Sequence, residues 1–576
     1  MYRLVVFIAL IALLPCTDVM AQIDRPNEHF VTRSEVIAEH GMVATSQPLA
    51  TQAGLDILKD GGNAIDAAIA ANAAIGLMEP TGNGIGGDLF ALVWDAASEE
   101  LYGLNASGRS PMNLSYETLQ EELDEKDEDS IPPYSLHSIS VPGAVDGWFE
   151  LHERFGGDAS METILDPAIG YAEDGFPVSE RIAASWRGSA PFLNDQIDIG
   201  AFEETFTIDG RGPETGEIFQ NPDLGNTYRL IAENGREAFY EGEIAQKIDD
   251  FMREHGGYLR LEDFENHTSD WVDPISVNYR GYDVHQIGGN NQGAAVLQML
   301  QILEGYDLAE KGVNSEETLH LMIEAKKLAF EDRAKHYADS DFHEIPMEQL
   351  LSEEYAAERR ELIGDEASDR LTTGIEALEE GDTIYLTTAD EDGNMVSLIQ
   401  SNFRGMGTGF VVPGTGFSFQ NRGELFSMDP DHPNAYEPGK RPFHTIIPGF
   451  VTKDGEPYFS IGNMGGAYQP TGHVSILTNM IDFGMNTQEA GDAPRWRHYE
   501  STQPTDDLDD QLEDGGRVHV ESGIDFEVVQ GLRNRGHDVR IGGGFFGRYQ
   551  GILYDAEHGV YRGASESRVD GQAAGY

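Results

Sequence analysis

Cysteine is almost absent from this chain: among its 576 residues the only one is Cys16, in an apolar stretch near the start. Disulfides, thiolate catalysis and cysteine–metal sites are therefore excluded from the remainder of the sequence. A lipid anchor on Cys16 is not favoured, because Pro15 stands where a small residue is expected. Any chemistry must come from other side chains.

Basic residues are scarce too, since 38 lysines and arginines stand against 101 aspartates and glutamates, a formal net charge of −63. The acidic residues are spread along the whole length, so they do not form an acidic tail. A field of this sign repels nucleic acid and anionic membranes, and we expect neither as a partner. The charge favours solubility, and salt would screen its repulsion.

Long hydrophobic runs are also missing. The longest, residues 4–14, is too short to span a bilayer as a mature helix. It follows the basic Arg3 and precedes a small-residue cleavage site at residues 19–21. These features predict that residues 1–21 are a signal peptide and that the mature protein is periplasmic or secreted.

Several catalytic motifs do not occur. The 17 histidines show no metal-ligand spacing, so we expect no metal and no cofactor. No G-x-S-x-G nucleophile elbow is present. Residues 82–87 and 542–547 match G-x-G-x-x-G, but neither lies between a predicted strand and a predicted helix, so tight turns or close backbone packing explain these glycines better. Residues 390–394 resemble part of a calcium loop, and a hairpin turn accounts for them.

Periodicity predicts both helices and strands. Residues 47–78 have apolar side chains at helical spacing, interrupted by glycines at 61 and 62, and residues 315–338 form an amphipathic pattern with i,i+4 charge pairs. A glycine-rich segment then leads into the strand pattern "LFALVWD". From Thr383 onward short strand patterns and turns dominate, with one predicted helix near residues 472–484.

A change of character occurs at Thr383. Residues 364–382 are acidic with little apolar periodicity, which is typical of an exposed connector. Residues 383–400 then contain two strand patterns joined by a turn at 392–394, a hairpin signal. A proteolytic cut would fit at this boundary, between Asp382 and Thr383.

Such a cut would give Thr383 a chemical role. A threonine hydroxyl is a poor nucleophile without a neighbouring base, and the α-amino group of an N-terminal threonine, with a pKa of about 7.7–8.0, is such a base. Threonine is also common at strand starts. The pattern alone therefore makes Thr383 only one candidate.

Longer motifs point to a family. They include "GMVATSQPLATQAGLDILKDGGNAIDAAIAANAAIGLMEPTGNGIGGDLF", "SVPGAVDGW", "EAKKLAFEDRAKHYAD", "GDTIYLTTADEDGNMVSLIQS", "PGKRPFHTIIPGF" and "GNMGGAYQP". Over nearly the whole mature chain the sequence resembles the γ-glutamyltransferases (glutathione hydrolases), which are N-terminal-nucleophile hydrolases. The resemblance implies an α/β (α+β) fold of the αββα sandwich type. It also implies self-cleavage between Asp382 and Thr383 into a large subunit of residues 22–382 and a small subunit of residues 383–576.

The resemblance implies roles for single residues. Thr383 would be the nucleophile with its own amine as base, and Ser401 would bond to it and assist self-cleavage. The N–H groups of Gly465 and Gly466 would form the oxyanion hole. Arg109 falls near the arginine that binds the glutamyl α-carboxylate, for which a guanidinium is suited. A surface ion pair is the alternative interpretation of Arg109 in so acidic a chain.

The pocket for the substrate departs from the family pattern. The usual substrate-binding asparagine falls at Phe403, although Asn402 is adjacent, and the usual glutamine falls at Arg422. Two serines that follow K-R-P in the family are His444 and Thr445 here. The nucleophile region is thus kept while the pocket is altered.

The acidic residue that normally holds the α-amine of the glutamyl group falls at Leu425. Glu424, its neighbour, can replace it with a shift of register. Otherwise the enzyme would prefer an acyl group without a free α-amine, and Arg422 and His444 would hold a carboxylate instead.

Three hypotheses follow. The leading one is a γ-glutamyl hydrolase that acts on small glutathione-like donors and passes the acyl group to water or to amino acids. The second keeps the machinery but changes the substrate to a glutaryl-like or other acyl amide. The third is a non-catalytic binding protein on the same scaffold.

Overall fold

The computed structural model describes residues 30–368, 382–500 and 515–576. The predicted signal peptide, residues 1–21, lies outside these residues, and so do residues 369–381 of the predicted linker. Within the described residues no helix is both long and apolar enough to span a membrane.

Most of the strands belong to two antiparallel sheets. In chain order the strands are β1 (Val36–Ala38), β2 (Met42–Thr45), β3 (Asp88–Asp95), β4 (Glu100–Ala106), β5 (Phe176–Pro177), β6 (Ile218–Phe219), β7 (Asp270–Val272), β8 (Ile275–Tyr279), β9 (Tyr282–Gln286), β10 (Asp382–Ala389), β11 (Met395–Phe403), β12 (Gly449–Lys453), β13 (Glu456–Met464), β14 (Trp496–Tyr499), β15 (Arg517–Val520), β16 (Asp538–Ile541), β17 (Arg548–Asp555), β18 (Val560–Ser565) and β19 (Gln572–Gly575). Sheet I has seven strands in the order β19-β2-β10-β11-β3-β4-β7, and sheet II has seven in the order β1-β18-β17-β13-β12-β9-β8.

Helices surround these sheets. In chain order they are α1 (Pro48–Lys59), α2 (Ala64–Met78), α3 (Tyr116–Asp124), α4 (Ala144–Phe155), α5 (Met161–Asp174), α6 (Glu180–Gln196), α7 (Phe202–Phe206), α8 (Pro222–Asn234), α9 (Glu237–Tyr240), α10 (Glu243–His255), α11 (Leu261–Glu265), α12 (Gly293–Glu304), α13 (Leu308–Lys311), α14 (Glu316–His336), α15 (Met347–Leu350), α16 (Glu353–Arg360), α17 (Gln469–Ile481), α18 (Thr487–Asp492) and α19 (Phe526–Asn534).

The two sheets pack face to face in four layers. β10 and β11 of sheet I lie against β13 of sheet II, and β10 also contacts β17. α1, α2 and α4 cover the outer face of sheet I, while α12, α17 and α18 cover that of sheet II. The predicted αββα sandwich is therefore confirmed.

This layering explains the sequence of the central strands. All nine residues of β11 are buried, because one face meets sheet II and the other meets α2. A strand buried on both faces has no solvent side, so its polar residues must find partners inside the protein. The same holds for Thr387 of β10 and Ser460 of β13, whose hydroxyl groups contact each other between the sheets.

Several local predictions are confirmed. The helical segment at 47–78 forms α1 and α2, and α2 starts at a capping box made by Asn63 and Asp66. The helix predicted at 315–338 is α14, and the predicted hairpin is β10–β11. Asp390 closes its turn by accepting hydrogen bonds from the N–H groups of Asp392 and Asn394.

The expectation of a single helix after Thr383 is wrong. α18 and α19 lie there as well as α17. α18 has only six residues and begins at a capping box formed by Asn486 and Glu489. A helix of six residues has fewer than two turns, too few to show a 3.6-residue period, so the surrounding strand and turn patterns concealed α18.

Candidate active site

Thr383 lies at an irregularity in the pairing of β10 with β11. Asp382 pairs with Phe403 and Ile384 pairs with Gln400, so two residues of β11, Ser401 and Asn402, oppose the single Thr383. This is the pattern of a β-bulge, a feature that re-aims side chains near functional sites. The Thr383 side chain is buried, with the residue 1% exposed, and its Oγ1 donates a hydrogen bond to Ser401 Oγ at 3.3 Å.

Ser401 is held in place from the other side as well. Its Oγ accepts a hydrogen bond from the backbone N–H of Phe403 at 2.8 Å. Phe403 has a φ of 76°, in the left-handed region that non-glycine residues rarely adopt. Such a conformation costs about 1–3 kcal/mol and persists only where the surroundings impose it. The end of β11 is therefore a constrained segment beside Thr383.

The glycine-rich loop of residues 79–87 packs directly on this pair. A Cβ on Gly82 would lie 3.4 Å from the backbone N and C of Thr383, and a Cβ on Gly87 would lie 2.4 Å from Ser401 O. The distance at Gly82 is an ordinary van der Waals contact, whereas the approach at Gly87 is too close for any residue but glycine. Of the two explanations given for these glycines, close backbone packing is confirmed for Gly87.

Gly465 and Gly466 follow β13, the strand that packs against β10. Their φ angles are 126° and 59°, which glycine adopts without a steric penalty. Residues 466–468 form a 3₁₀ turn that continues into α17, so the two glycines lie at the N-terminal end of a helical segment. The N–H groups of the first helical turn are directed out of the end of the helix, where they favour the binding of a negative charge. Their assignment as an oxyanion hole stays a prediction with suitable local geometry.

Arg422 is fully buried next to Phe403. Its Nη1 donates to Thr445 Oγ1 at 2.9 Å, and its guanidinium carbon lies 4.5 Å from the centroid of the Phe403 ring. Nε and Nη2 of Arg422 find no hydrogen-bond partner in the described part of the chain. Burial lowers the pKa of Arg422 to about 9, so the side chain is still cationic at neutral pH. A buried cation with two free donor nitrogens is suited to bind an anionic group.

His444 and Asp88 form a second buried polar contact. His444 Nε2 lies 3.3 Å from Asp88 Oδ2 without hydrogen-bond geometry, and neither ring nitrogen of His444 is bonded to any described residue. Asp88 Oδ1 accepts from the N–H groups of Gly108 and Gly143 at 3.0 and 3.2 Å. Burial raises the pKa of Asp88 to about 7 and holds the pKa of His444 well below its usual value. His444 is therefore neutral.

Asp88 was not identified from the sequence, although it stands directly opposite Ser401 in the pairing of β3 with β11. Residues opposite each other in antiparallel strands share a face of the sheet. An acidic residue at the start of the apolar segment "LFALVWD" was the available signal. Its significance depends on Ser401, more than 300 residues away along the chain, which no local pattern reveals.

Glu424 does not present a free carboxylate. Its Oε1 accepts a hydrogen bond from Arg404 Nε, and burial raises its pKa to about 7. An ammonium group would have to compete with the guanidinium of Arg404. Asn402 is different, because its side-chain Oδ1 is buried and has no partner within the described ranges.

Arg109 belongs to a network of charges. It donates to Asp341 Oδ2 at 2.7 Å, to Asp339 Oδ2 at 3.3 Å and to the carbonyl oxygen of Gly439 at 3.1 Å. These contacts match the alternative interpretation of Arg109 as an ion-pair residue. A substrate carboxylate would have to displace an aspartate, and the predicted role of Arg109 in binding stays a prediction.

One cluster of metal-ligand residues lies elsewhere, where His320, Glu324 and His537 bring three ligand atoms within 4.8 Å of one another. His320 Nδ1 is 2.9 Å from His537 Nε2, and Glu324 Oε1 accepts from Lys327 Nζ at 2.8 Å. His320 Nε2 and Lys327 also bond to the carbonyl oxygens of residues 364 and 368. The lysine supplies the positive charge, so this cluster anchors the start of the predicted linker.

The fold and the site define a class of protein. Two antiparallel sheets between helices, with a buried threonine at the start of a central strand, are the architecture of the N-terminal-nucleophile hydrolases. The family model for gamma-glutamyltranspeptidase matches residues 50–576. The chain belongs to this family, and the resemblance noted from its motifs is confirmed.

Relatives within the family have different names. A glutathione hydrolase-like YwrD proenzyme of Bacillus subtilis is 37% identical, over 94% of this chain and 99% of that protein. An acylase ACY 1 proenzyme of a Pseudomonas species is 34% identical over 92% of each. A crystal structure of a cephalosporin acylase from Bacillus halodurans aligns with a TM-score of 0.86 at 45% identity, covering 96% of this chain and 98% of that one. The family is one of amide-cleaving enzymes made as proenzymes.

Proposed function

We propose that this protein is a self-processing amidohydrolase whose nucleophile is Thr383. In the uncut chain the nitrogen of Thr383 belongs to the peptide bond with Asp382. Cleavage of that bond would free an amine next to the hydroxyl group, which supplies the base that the hydroxyl lacks. The bulge and the hydrogen bond to Ser401 Oγ support this role, because they hold Oγ1 in one orientation.

The reaction proceeds through an ester of Thr383. Its amine accepts the hydroxyl proton as Oγ1 attacks the carbonyl carbon of the amide, and the N–H groups of Gly465 and Gly466 stabilise the oxyanion. The carbon–nitrogen bond then breaks, and the proton passes to the leaving amine. Water, or the amino group of an amino acid, then attacks the ester carbon and gives a proton to the Thr383 amine; the bond from the carbon to Oγ1 breaks, Oγ1 takes the proton, and the free acid or a new amide is released.

The acyl group is proposed to end in a carboxylate and to lack an α-amine, as a glutaryl group does. The observation that carries the carboxylate, which a γ-glutamyl group shares, is the buried guanidinium of Arg422, two of whose nitrogens have no partner among the residues described. Glu424, the residue that would receive an ammonium group, is already paired with Arg404. Relatives named as acylases share this overall architecture.

A γ-glutamyl group is the second candidate. It differs from glutaryl only by the α-amine, and the buried, unpartnered Oδ1 of Asn402 is an acceptor that an ammonium group can use. Relatives named as glutathione hydrolases support it as well. Both candidates share the nucleophile and differ in the end of the acyl pocket.

The two candidates are separated by the release of p-nitroaniline from glutaryl and γ-glutamyl anilides. We expect kcat/KM for the glutaryl compound to be at least about tenfold higher, since the ammonium group of the γ-glutamyl compound would be buried near the cationic Arg422 while Glu424 is paired with Arg404, and a buried polar group left unsatisfied costs about 1–3 kcal/mol or more. The reverse order would favour the γ-glutamyl group. The wild type could also release no more p-nitroaniline than Thr383→Ala from any acyl anilide and form no adduct at Thr383 with a glutamine-analogue electrophile. That result would favour the third hypothesis, a non-catalytic binding protein.

Export is proposed on the features of residues 1–21 alone. Expression of the full chain in a bacterium with two membranes, followed by N-terminal sequencing of the periplasmic fraction, tests it. A start at residue 22 is expected, and a cytoplasmic protein that retains residues 1–21 would contradict the proposal.

A further inference from the structure

Gln292 connects two parts of the site. It precedes α12 and is fully buried. Its Nε2 donates one hydrogen bond to the carbonyl oxygen of Thr445 at 2.6 Å and another to the carbonyl oxygen of Gly466 at 2.9 Å. A side-chain amide has two N–H donors, and here each has a backbone acceptor.

The orientation of this amide is determined by Arg333 of α14. Arg333 Nη1 donates to Gln292 Oε1 at 2.6 Å, and Arg333 is itself fully buried with its guanidinium carbon 3.7 Å from the centroid of the Phe330 ring. A guanidinium offers only donors, so the amide oxygen must face it and the amide nitrogen must face the two carbonyl groups. Gln292 therefore has a single satisfied orientation.

The two carbonyl groups belong to the two ends of the proposed substrate site. Gly466 is one of the glycines that would stabilise the oxyanion. Thr445 accepts the hydrogen bond from Arg422, the residue that would bind the distal carboxylate of the acyl group. Gln292 thus spans the distance between the group that polarises the carbonyl and the group that holds the other end of the chain.

We infer that Gln292 is a positioning residue that sets the spacing between the oxyanion glycines and Arg422, and thereby the length of acyl chain that the site accepts. The inference rests on the proposed function. Gln292 acts through two backbone segments. A shift of about 1 Å in a positioned group costs up to about 10²-fold in rate.

The test replaces Gln292 with methionine, which has a similar length and no hydrogen-bonding amide. Gln298→Met is the matched control, because Gln298 lies on α12, is buried and also forms hydrogen bonds through both ends of its amide, donating to Asp332 Oδ2 at 2.8 Å and accepting from Tyr337 Oη at 2.6 Å. Both variants lose a similar buried network, but only Gln292 contacts the site. Rates are normalised to the fraction of protein with an N-terminal Thr383, measured by mass spectrometry.

The readouts are kcat and the selectivity among succinyl, glutaryl and adipoyl anilides. Gln292→Met is expected to lower kcat for the preferred anilide by about 10- to 100-fold. It is also expected to reduce the ratio of kcat/KM between the preferred chain and the next. Gln298→Met should keep both quantities within about threefold of wild type, because this substitution is expected to lower the stability of the fold without moving the site.

Gln292→Glu is the second variant, in case the methionine variant fails to fold. Glutamate keeps the volume and the contact with Arg333, but an ionised carboxylate cannot donate to the carbonyl groups of Thr445 and Gly466. The same loss of chain-length selectivity is expected. Unchanged selectivity in a folded, cleaved Gln292 variant, or equal losses in the Gln292 and Gln298 variants, would overturn the inference. A wild type that cleaves no acyl anilide would instead overturn the proposed function.

Discussion

The hydroxyl group of Thr383 donates a hydrogen bond to Ser401 Oγ across 3.3 Å, at a bulge where the two strands lose their register. In the register of the rest of the hairpin Ser401 stands opposite Thr383, and the bulge follows at once, because Asn402 is the extra residue before Asp382 pairs with Phe403. Ser401 in turn accepts from the N–H of Phe403, so its oxygen is oriented before any substrate arrives.

Removing the hydroxyl group of Thr383 should abolish self-cleavage. Thr383→Ala is expected to run on a denaturing gel as one uncut chain, whereas the wild type gives two, because no nucleophile is left at the bond after Asp382. Ser401→Ala should cleave more slowly, since Oγ1 of Thr383 loses its partner. Thr388→Ala is the control: it lies on the same strand and loses a buried hydrogen bond to Ala64 O at 2.6 Å. If Thr383→Ala is cut like the wild type, the nucleophile is another residue.

Replacing Arg422 should change which acyl groups are hydrolysed. Arg422→Gln removes the buried guanidinium, and kcat/KM for the glutaryl anilide is expected to fall by about 10- to 100-fold, the value of a charge-assisted hydrogen bond. Butyryl anilide has no carboxylate and should be affected much less. Arg229→Gln, at an exposed arginine paired with Glu173, controls for the loss of one charge. Equal losses for the two anilides would show that Arg422 does not recognise the carboxylate.

Asp88 should make stability depend on pH in a defined direction. Its pKa is about 7 in the folded protein, against about 3.9 in an unfolded chain. Between these values the folded state holds a proton that the unfolded state has lost, so stability falls as pH rises towards about 7 and then levels off. Asp88→Asn removes this titrating carboxyl group and keeps Arg422 and His444, two charged or titratable residues that face it.

Calorimetry of Asp88→Asn and the wild type measures this effect. The Tm of the variant minus that of the wild type is expected to increase from about pH 4.5 to about pH 7 and to stay constant above it. The backbone bonds from Gly108 and Gly143 can still be accepted by the asparagine oxygen. A difference that is independent of pH would contradict the buried, proton-holding state of Asp88.

The glycine loop should not tolerate a side chain at Gly87. A Cβ there would lie 2.4 Å from Ser401 O, a backbone atom that cannot move away cheaply. Gly87→Ala is expected to lower stability by about 1–3 kcal/mol and to slow self-cleavage, because it pushes Ser401 away from Thr383. The slowing is measured as the rate at which the uncut chain disappears from a gel.

Gly170→Ala is the matched control for this substitution. Gly170 lies inside α5 with no atom within 4 Å of its Cβ position, so alanine there should stabilise the protein by about 0.5–1 kcal/mol. Self-cleavage should proceed at the wild-type rate. If Gly87→Ala behaves like Gly170→Ala, the loop does not constrain Ser401.

Local patterns in the sequence determined much of the framework. The end of α1 and the start of α2 follow from the glycines at 61 and 62 and the cap at Asn63, all of which act within a few residues. The β10–β11 hairpin follows from alternating apolar residues and its short turn. The family motifs and the glycines near Thr383 both indicate the strand β10, so the sequence alone also predicts where the candidate site lies.

The sequence by itself determined the family, the layered fold and the strand that contains Thr383, because these depend on neighbouring residues and on long ordered motifs. Only the tertiary structure decided the character of the pocket around Thr383. Asp88 stands opposite Ser401, and Arg404 forms an ion pair with Glu424. Gln292 donates hydrogen bonds to Thr445 and Gly466, which lie on distant segments of the chain. Burial then sets the charges of these groups, since desolvation depends on what surrounds a side chain in space and not on its neighbours along the chain.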